Sequence, residues 1–291
     1  MKQKILGTGL SGMVGSRIVE LLANEYEFED LSLATGVDIT QHDLVIERVV
    51  RSSADWILHL AAKADVEACE QDKAFGINGS AWQINVEATR NIVSAASQIK
   101  KKIIYISTDF VFDGTKDIYT EIDNPHPINW YAQTKYEGEK LVMEDSGHVV
   151  MRIAYTYRSK FNPKKDFFRS ILQKLSTGNK VIALEDHIIT PTFIDDIARA
   201  VGEIIKLNCN GIFHVVGSEF LTPFQAAHKI AEEFELSSEL IMPVLMNDYF
   251  KNQAPRPFKL RLKNDRIKDL GISMNTFSQG IHQVKEQGVK I

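Results

Sequence analysis

Gly7-Thr8-Gly9-Leu10-Ser11-Gly12-Met13-Val14-Gly15 decides the class of this chain. The stretch follows the apolar pair Ile5-Leu6 and runs into Val14, Ile18, Leu21 and Leu22, which recur at helical spacing. It therefore lies where a strand turns into a helix, and it satisfies two overlapping patterns, GxGxxG and TGxxGxxG. Glycines serve three purposes there: a sharp turn, close approach of backbone to a pyrophosphate, and tight packing of helix on strand. The helix N-terminus then offers free N–H groups to the phosphates. Glycines also end strands for purely structural reasons, so it is the strand-to-helix position that makes nucleotide binding the better reading. No GxxxxGK followed by Ser or Thr occurs, which disfavours phosphoryl transfer through a P-loop.

Outward from this loop, short β-rich runs alternate with amphipathic stretches. Leu31 to Leu33 reads as a second strand, Trp56 to Leu60 as a third and Ile103 to Ile106 as a fourth, with a long helical stretch through Ile84, Ala88, Ile92 and Ala95 before the fourth. Further strands are expected at Val149 to Ile153 and Ile212 to Val216, with a helix after Tyr131. Continuous apolar runs are what a parallel strand covered by helices on both faces requires. The expected class is α/β: a Rossmann-type doubly wound parallel sheet with a smaller C-terminal substrate-binding domain. The first domain is placed at residues 1–155, drawing also on about 186–218, and residues 156–291 mostly form the second. Thr222-Pro223-Phe224-Gln225 carries the signature of a capped helix start, and Thr192 to Asp195 is read the same way.

Composition narrows the function. The 291 residues are 44% hydrophobic and 25% charged, which suits a globular protein, and the formal net charge of -4 gives no global attraction to nucleic acid or anionic lipid. No run approaches the ~18 apolar residues of a membrane span. Two isolated cysteines, Cys69 and Cys209, fit a reducing compartment, so a cytoplasmic protein is expected. The eight histidines form no metal-ligand pattern, and no metal is expected; His59, inside an apolar run, reads as a core residue. Phe75, Trp82, Phe167 and Phe168 read as packing residues, and Asp195 and Asp196 as first-turn helix charges.

An acidic residue at the end of the second strand would hold an adenosine ribose 2′-OH and repel a 2′-phosphate. The strand placed at Leu31 to Leu33 runs instead into neutral Ala34-Thr35-Gly36. NADP(H) or NAD(H) is the expected cofactor, with those neutral residues favouring NADP(H).

Tyr131 and Lys135 are one helical turn apart, so a helix beginning at the turn-rich Pro125 to Asn129 places both on one face. A phenol near pKa ~10 is a poor acid or base at neutral pH, and an adjacent ammonium would bring it towards working range. Ser107-Thr108-Asp109 follows the fourth strand, at the carboxyl end where ligands sit in parallel sheets. A hydroxyl there can hydrogen-bond a carbonyl that the tyrosine protonates.

In this order and spacing, Thr8 to Gly15, Ser107-Thr108-Asp109 and Tyr131 with Lys135 resemble the extended short-chain dehydrogenase/reductases. Asp38-Ile39-Thr40, Leu60-Ala61-Ala62, Ile106 to Gly114, Tyr119-Thr120-Glu121, Pro191 to Asp196 and Arg256-Pro257 narrow the resemblance to the dTDP-4-dehydrorhamnose reductase branch. The resemblance implies a catalytic set of Thr108, Tyr131 and Lys135, with Tyr131 protonating a C4 ketone, Thr108 polarising it and Lys135 anchoring the nicotinamide ribose. It implies that Gly9, Gly12 and Gly15 line the pyrophosphate, with Leu10, Ser11, Met13 and Val14 among the cofactor-binding residues. Asp38 and Ile39 would lie by the adenine, and Leu60, Ala61, Ala62, Lys63 and Ser107 by the nicotinamide. Val66, Asp109, Tyr155 and Arg256 are expected on the substrate; the basic segment Lys251 to Lys268 reads first as a solvated face, and the sharper alternative is that its Arg256 reaches a diphosphate.

The implied partner is a nucleotide sugar, and a homodimer is an open expectation; nucleic acid and membrane are not expected. Tyr155 stands where the branch often has tryptophan, and Lys63 and Asp65 add charge beside the expected cleft, which would suit a more polar substrate. The Asp-Glu pair of the related dehydratases is absent, since Phe110 follows Asp109. Two alternatives remain: a nucleotide-sugar epimerase of the same fold, and a non-catalytic regulatory subunit resembling the methionine adenosyltransferase β-subunit.

Overall fold

A computed structural model describes residues 2–159 and 166–289. The strands among them are β1 (Gln3–Thr8), β2 (Tyr26–Asp30), β3 (Trp56–His59), β4 (Lys102–Thr108), β5 (Val149–Ile153), β6 (Thr156–Tyr157), β7 (Val181–Leu184), β8 (Thr192–Phe193), β9 (Gly211–His214) and β10 (Ile241–Val244). Six of them form one sheet in the order β2-β1-β3-β4-β5-β9. Every neighbouring pair is parallel, so each connection must cross over a face of the sheet. The order reverses at β1, and a ligand crevice is expected at the carboxyl ends of β1 and β3, where successive connections diverge. This is the Rossmann-like α/β class expected from the apolar runs.

Adjacent residues of each inner strand feed opposite cores, as the two-residue period of a strand demands. Ile5, Leu58, Ile104 and Met151 pack under the helices Met13–Leu22 and Ile194–Lys206, which supply Ile18, Leu22, Ile197 and Val201. Their neighbours Leu6, Ile57, Ile103 and Val150 face the other way, under the helices His42–Arg51, Ala88–Gln98 and Trp130–Met143. Each of these side chains contributes on the order of 1.5–3 kcal/mol by leaving water, which is why the runs must be continuous.

After β5 the chain leaves the sheet. β6 pairs with β8, β7 pairs with β10, and a separate aromatic core of Tyr157, Phe168, Phe193 and Phe277 forms under the helices Phe167–Ser176, Pro223–Glu233 and Phe277–Glu286. Thr222 and Gln225 close the capping box expected of them. The chain returns to the main sheet only for β9.

Four local expectations need correction. The second strand is not Leu31 to Leu33: it is Tyr26–Asp30, and Leu33 is 76% exposed in a single 3₁₀ turn, Leu33–Thr35. As the sheet's edge, β2 lacks the continuous apolar run that marks inner strands. The neutral Ala34-Thr35-Gly36 therefore lies beyond a strand that ends on Asp30, and the inference drawn from it towards NADP(H) falls. Thr192 caps nothing: the helix Ile194–Lys206 has Phe193 at its N-cap without a side-chain bond, and Thr192 lies in β8. Phe75 is 67% exposed rather than packed. The long stretch through Ile84 is not one regular helix, because Gln83–Glu87 forms a π-turn before Ala88–Gln98. No helix among the described residues is long and apolar enough to cross a membrane.

Candidate active site

At the carboxyl ends of β1, β3 and β4 lies a cleft of about 470 Å³. Its first wall is the glycine loop: Gly9, Gly12, Met13, Val14 and Gly15 all line it. Gly9 has φ +67°, and a Cβ there would stand 2.7 Å from the Ala61 nitrogen; a Cβ on Gly15 would stand 2.5 Å from the Gly9 carbonyl oxygen. Only glycine lets these backbones meet. The helix Met13–Leu22 starts at Gly12 with no side-chain cap and no acidic residue in its first turn, which leaves its N–H groups for an anion.

A chain of hydrogen bonds holds the facing loop. The Ala61 N–H donates to Thr8 Oγ1 at 3.1 Å, and Thr8 Oγ1 lies 2.6 Å from His59 Nδ1. On the other side His59 Nε2 is 3.0 Å from Thr89 Oγ1, which itself donates to the Asn85 carbonyl. Since Thr89 spends its proton on Asn85, His59 donates from Nε2 and accepts at Nδ1. Burial, with the nearby Lys135 charge, pushes the imidazole down to about 3, so it stays neutral. His59 is thus a fully bonded core residue, as its apolar run implied.

The second wall is the end of β4. Ser107, Thr108 and Asp109 line the cleft, and Thr108 Oγ1 donates to Asp109 Oδ1 at 3.1 Å. Burial, opposed by that bond, raises the Asp109 carboxyl to about 7. Ser107 Oγ and Asp109 Oδ2 are buried with no partner among the described residues. Buried polar atoms are rarely left so, and a polar ligand in the cleft would satisfy both.

Opposite stands the helix Trp130–Met143, whose N-cap Asn129 accepts from the Ala132 N–H at 2.8 Å. Tyr131, Lys135 and Glu139 follow at successive turns of one face. A Cβ on Gly138 would lie 2.4 Å from the Tyr105 hydroxyl, so glycine there brings the helix tight against the sheet. Glu139 pairs bidentately with Arg152 of β5 at 2.7 and 3.0 Å, both side chains buried. Tyr131 and Lys135 both line the cleft, but the ammonium does not turn to the phenol. Lys135 Nζ donates to the Ile106 carbonyl at 2.8 Å and sits 3.9 Å over the Tyr105 ring. Burial lowers it to about 7, against the pull of Glu139. Burial also raises the Tyr131 phenol above its ordinary value, only partly offset by Thr108. The expected depression of the phenol by Lys135 is therefore absent: Tyr131 is held protonated, as a donor.

Of the remaining expected residues, Leu60, Ala62, Val66 and Tyr155 also line the cleft. Tyr155 adopts a left-handed φ of +38° and its hydroxyl is 2.9 Å from His187 Nε2. Others stand outside the lining. Leu10 is buried in the core, Ser11 is exposed, and Ala61 presents its backbone to Gly9. Asp38 Oδ1 accepts from the Thr40 N–H and hydroxyl, while the Ile39 carbonyl accepts from Asn91.

Lys63 reaches Ser80 and Asp72, and Asp65 caps the helix Val66–Asp72, so their charges serve local structure and give no reason to expect a more polar substrate. Arg256 is paired within the protein: it bonds Glu67 at 2.7 Å and stacks 3.9 Å from Phe250. Asp195 and Asp196 do lie in the first turn of a helix, where they bind Arg17 and Asn275. Sequence reasoning missed Asn85, which grips the Lys63 peptide from both sides at 2.8 and 3.0 Å and reaches Thr134. The π-turn that turns it there left no mark in the helical periodicity.

A nucleotide-type glycine loop and a Thr-Tyr-Lys set thus meet in one cleft. The family model described as the RmlD substrate binding domain matches residues 3–289. The chain belongs to this family. Among its relatives, methionine adenosyltransferase 2 subunit beta of Mus musculus is 32% identical, the match covering 97% of this chain and 86% of that one. A dTDP-4-dehydrorhamnose reductase of Aggregatibacter actinomycetemcomitans is 29% identical over 79% of each chain. The structure of dTDP-4-dehydrorhamnose reductase from Bacillus anthracis, solved in complex with NADP, superposes on this RmlD-family chain with a TM-score of 0.89 at 26% identity, covering 99% of this chain and 100% of the other.

Proposed function

We propose that this RmlD-family protein is an oxidoreductase that uses a nicotinamide dinucleotide to reduce the C4 ketone of a nucleotide-activated 6-deoxy-4-keto sugar. The observation that carries the reading is the convergence of Thr108, Tyr131 and Lys135 on a cleft whose opposite wall is the glycine loop. A bound reduced nicotinamide supplies the hydride to C4. The chain's own residues do the rest. Thr108 turns its hydroxyl from Asp109 to the ketone oxygen, and Tyr131, kept protonated by burial, gives that oxygen its proton as the C–O double bond becomes single. Lys135, anchored on the Ile106 carbonyl, would hold the nicotinamide ribose of the bound cofactor. Val66, Asp109 and Tyr155 face the sugar.

The test is oxidation of NADH or NADPH with a panel of dTDP-, UDP- and GDP-4-keto sugars. One of them is turned over, and Tyr131→Phe removes the activity by about 10²-fold or more while dinucleotide still binds. Undiminished turnover in that variant would sink the mechanism. The likeness to methionine adenosyltransferase 2 subunit beta favours a second reading, a dinucleotide-binding subunit of another enzyme. It requires no turnover with any keto sugar and a stable complex with a separate protein, so robust reduction by the isolated chain removes it.

A further inference from the structure

Tyr155, on the wall of the cleft, meets a buried histidine behind it. The chain turns from β5 to β6 through Tyr155 at φ +38°, a left-handed conformation that few residues other than glycine adopt and that persists only where the surroundings fix it. Here they do. The Thr192 N–H of β8 donates to the Tyr155 carbonyl at 3.2 Å, and the ring packs against Phe167 and His187 with centroids 5.8 Å apart in both pairs. Tyr155 lines the cleft, whereas His187 is 1% exposed and lies outside the lining. His187 is itself held on both sides: Asp186 accepts from the Met246 N–H at 2.8 Å, and the Ile188 N–H donates to the Phe258 carbonyl at 3.1 Å.

Two hydrogen bonds settle which nitrogen of His187 carries the proton. Its Nδ1 lies 3.1 Å from the same Phe258 carbonyl, which can only accept, so Nδ1 is the protonated one. Burial lowers the imidazole to about 4 and keeps it neutral. Nε2 is then an acceptor, and the Tyr155 hydroxyl, 2.9 Å away, donates to it. Burial and the Asp109 charge raise the phenol above its ordinary value, so it has that proton to give. With the proton spent behind the wall, Tyr155 offers a ligand only the lone pairs of its oxygen. A tryptophan there, as the resembled branch often has, could only donate.

We propose that His187 is a positioning residue that makes Tyr155 a hydrogen-bond acceptor, so that the site selects a sugar with a free hydroxyl on C2 or C3. The inference rests on the keto-sugar reading above. In a 6-deoxy-4-keto sugar joined to its nucleotide through C1, those are the ring carbons left to carry a donor.

The experiment measures kcat and KM of the full chain with the keto sugar it reduces and with the C2- and C3-fluoro analogues, whose fluorine fills the place of a hydroxyl and cannot donate. At one of the two positions fluorine is expected to raise KM about three- to tenfold, the loss of one neutral hydrogen bond. Any pull of fluorine on the ketone itself acts on kcat and is common to parent and variant. In His187→Phe, which keeps a ring but accepts no proton, the freed phenol can donate and the KM penalty shrinks. Nitrogen NMR of the parent's imidazoles reads the tautomer independently of how the variant folds, and a bare Nε2 on His187 is expected. A proton on that nitrogen overturns the proposal, as do equal KM values for hydroxyl and fluoro sugars or an undiminished penalty in His187→Phe; the reductase reading survives each of these. Reduction of no sugar overturns that reading and this role with it.

Discussion

Two glycines with the same backbone handedness separate the cost of conformation from the cost of contact. Gly9 has φ +67° and Gly36 has φ +82°, both in the left-handed region. For either, alanine costs about 1–2 kcal/mol in backbone strain. At Gly36 nothing lies within 4 Å of the added Cβ, so the cost ends there. At Gly9 the Cβ meets the Ala61 nitrogen at 2.7 Å and the Ala61 Cα and Leu60 carbonyl carbon at 3.0 Å, all backbone, held by the Thr8 and His59 hydrogen bonds. Overpacking of that kind adds about 1–3 kcal/mol. Gly9→Ala is therefore expected to lose about 2–5 kcal/mol, against about 1–2 for Gly36→Ala. Urea unfolding with linear extrapolation measures both. Equal losses would refute the close approach of loop and loop that shapes the glycine wall of the cleft.

Glu139→Gln should cost about 3–5 kcal/mol in the same assay, because it leaves the buried Arg152 charge uncompensated; a loss under 1 kcal/mol would show that the pair does not pin the helix Trp130–Met143. His59, lowered from 6.5 to about 3, gives a pH signature. Below pH ~6.5 the unfolded chain binds a proton that the folded one refuses, so stability falls on acidification until about pH 3, by about 2 kcal/mol between pH 7 and 5. Asp109, raised to about 7, works in the opposite sense but does so in parent and variant alike. The pH 7 to 5 loss should thus be smaller in His59→Gln, and identical slopes would contradict the neutral, buried histidine.

The inner strands were legible because burial on both faces writes an unbroken apolar run, as at Ile103 to Ile106. The edge strand Tyr26–Asp30 was not: only Tyr26 is buried, Glu27 is exposed, and YEFED reads as a polar connector. That single misplacement put the neutral Ala34-Thr35-Gly36 at the end of a strand that in fact ends on Asp30. Thr108, Tyr131 and Lys135 could be picked out by spacing, which fixes a helical face but not the direction of a long side chain, so the turn of Lys135 towards Ile106 had to come from the structure. The pairing of Arg256 was hidden for a different reason. Its neutralising partner Glu67 is distant in sequence, and a basic run carries no record of which of its charges is already paired.

The late return of the chain to β9 sets the order of assembly at the ribosome. Every residue lining the cleft, from Gly9 to Thr156, is made before the strand that completes the sheet, Gly211–His214. Until that strand emerges, β5 presents a bare row of amide and carbonyl groups, the kind of edge that pairs with other chains. A fragment ending at residue 156 would hold the whole lining of the cleft and still carry that adhesive edge. The half that bears the cleft thus owes its covered edge to a strand encoded inside the other half, and the two cannot be parted by a single cut.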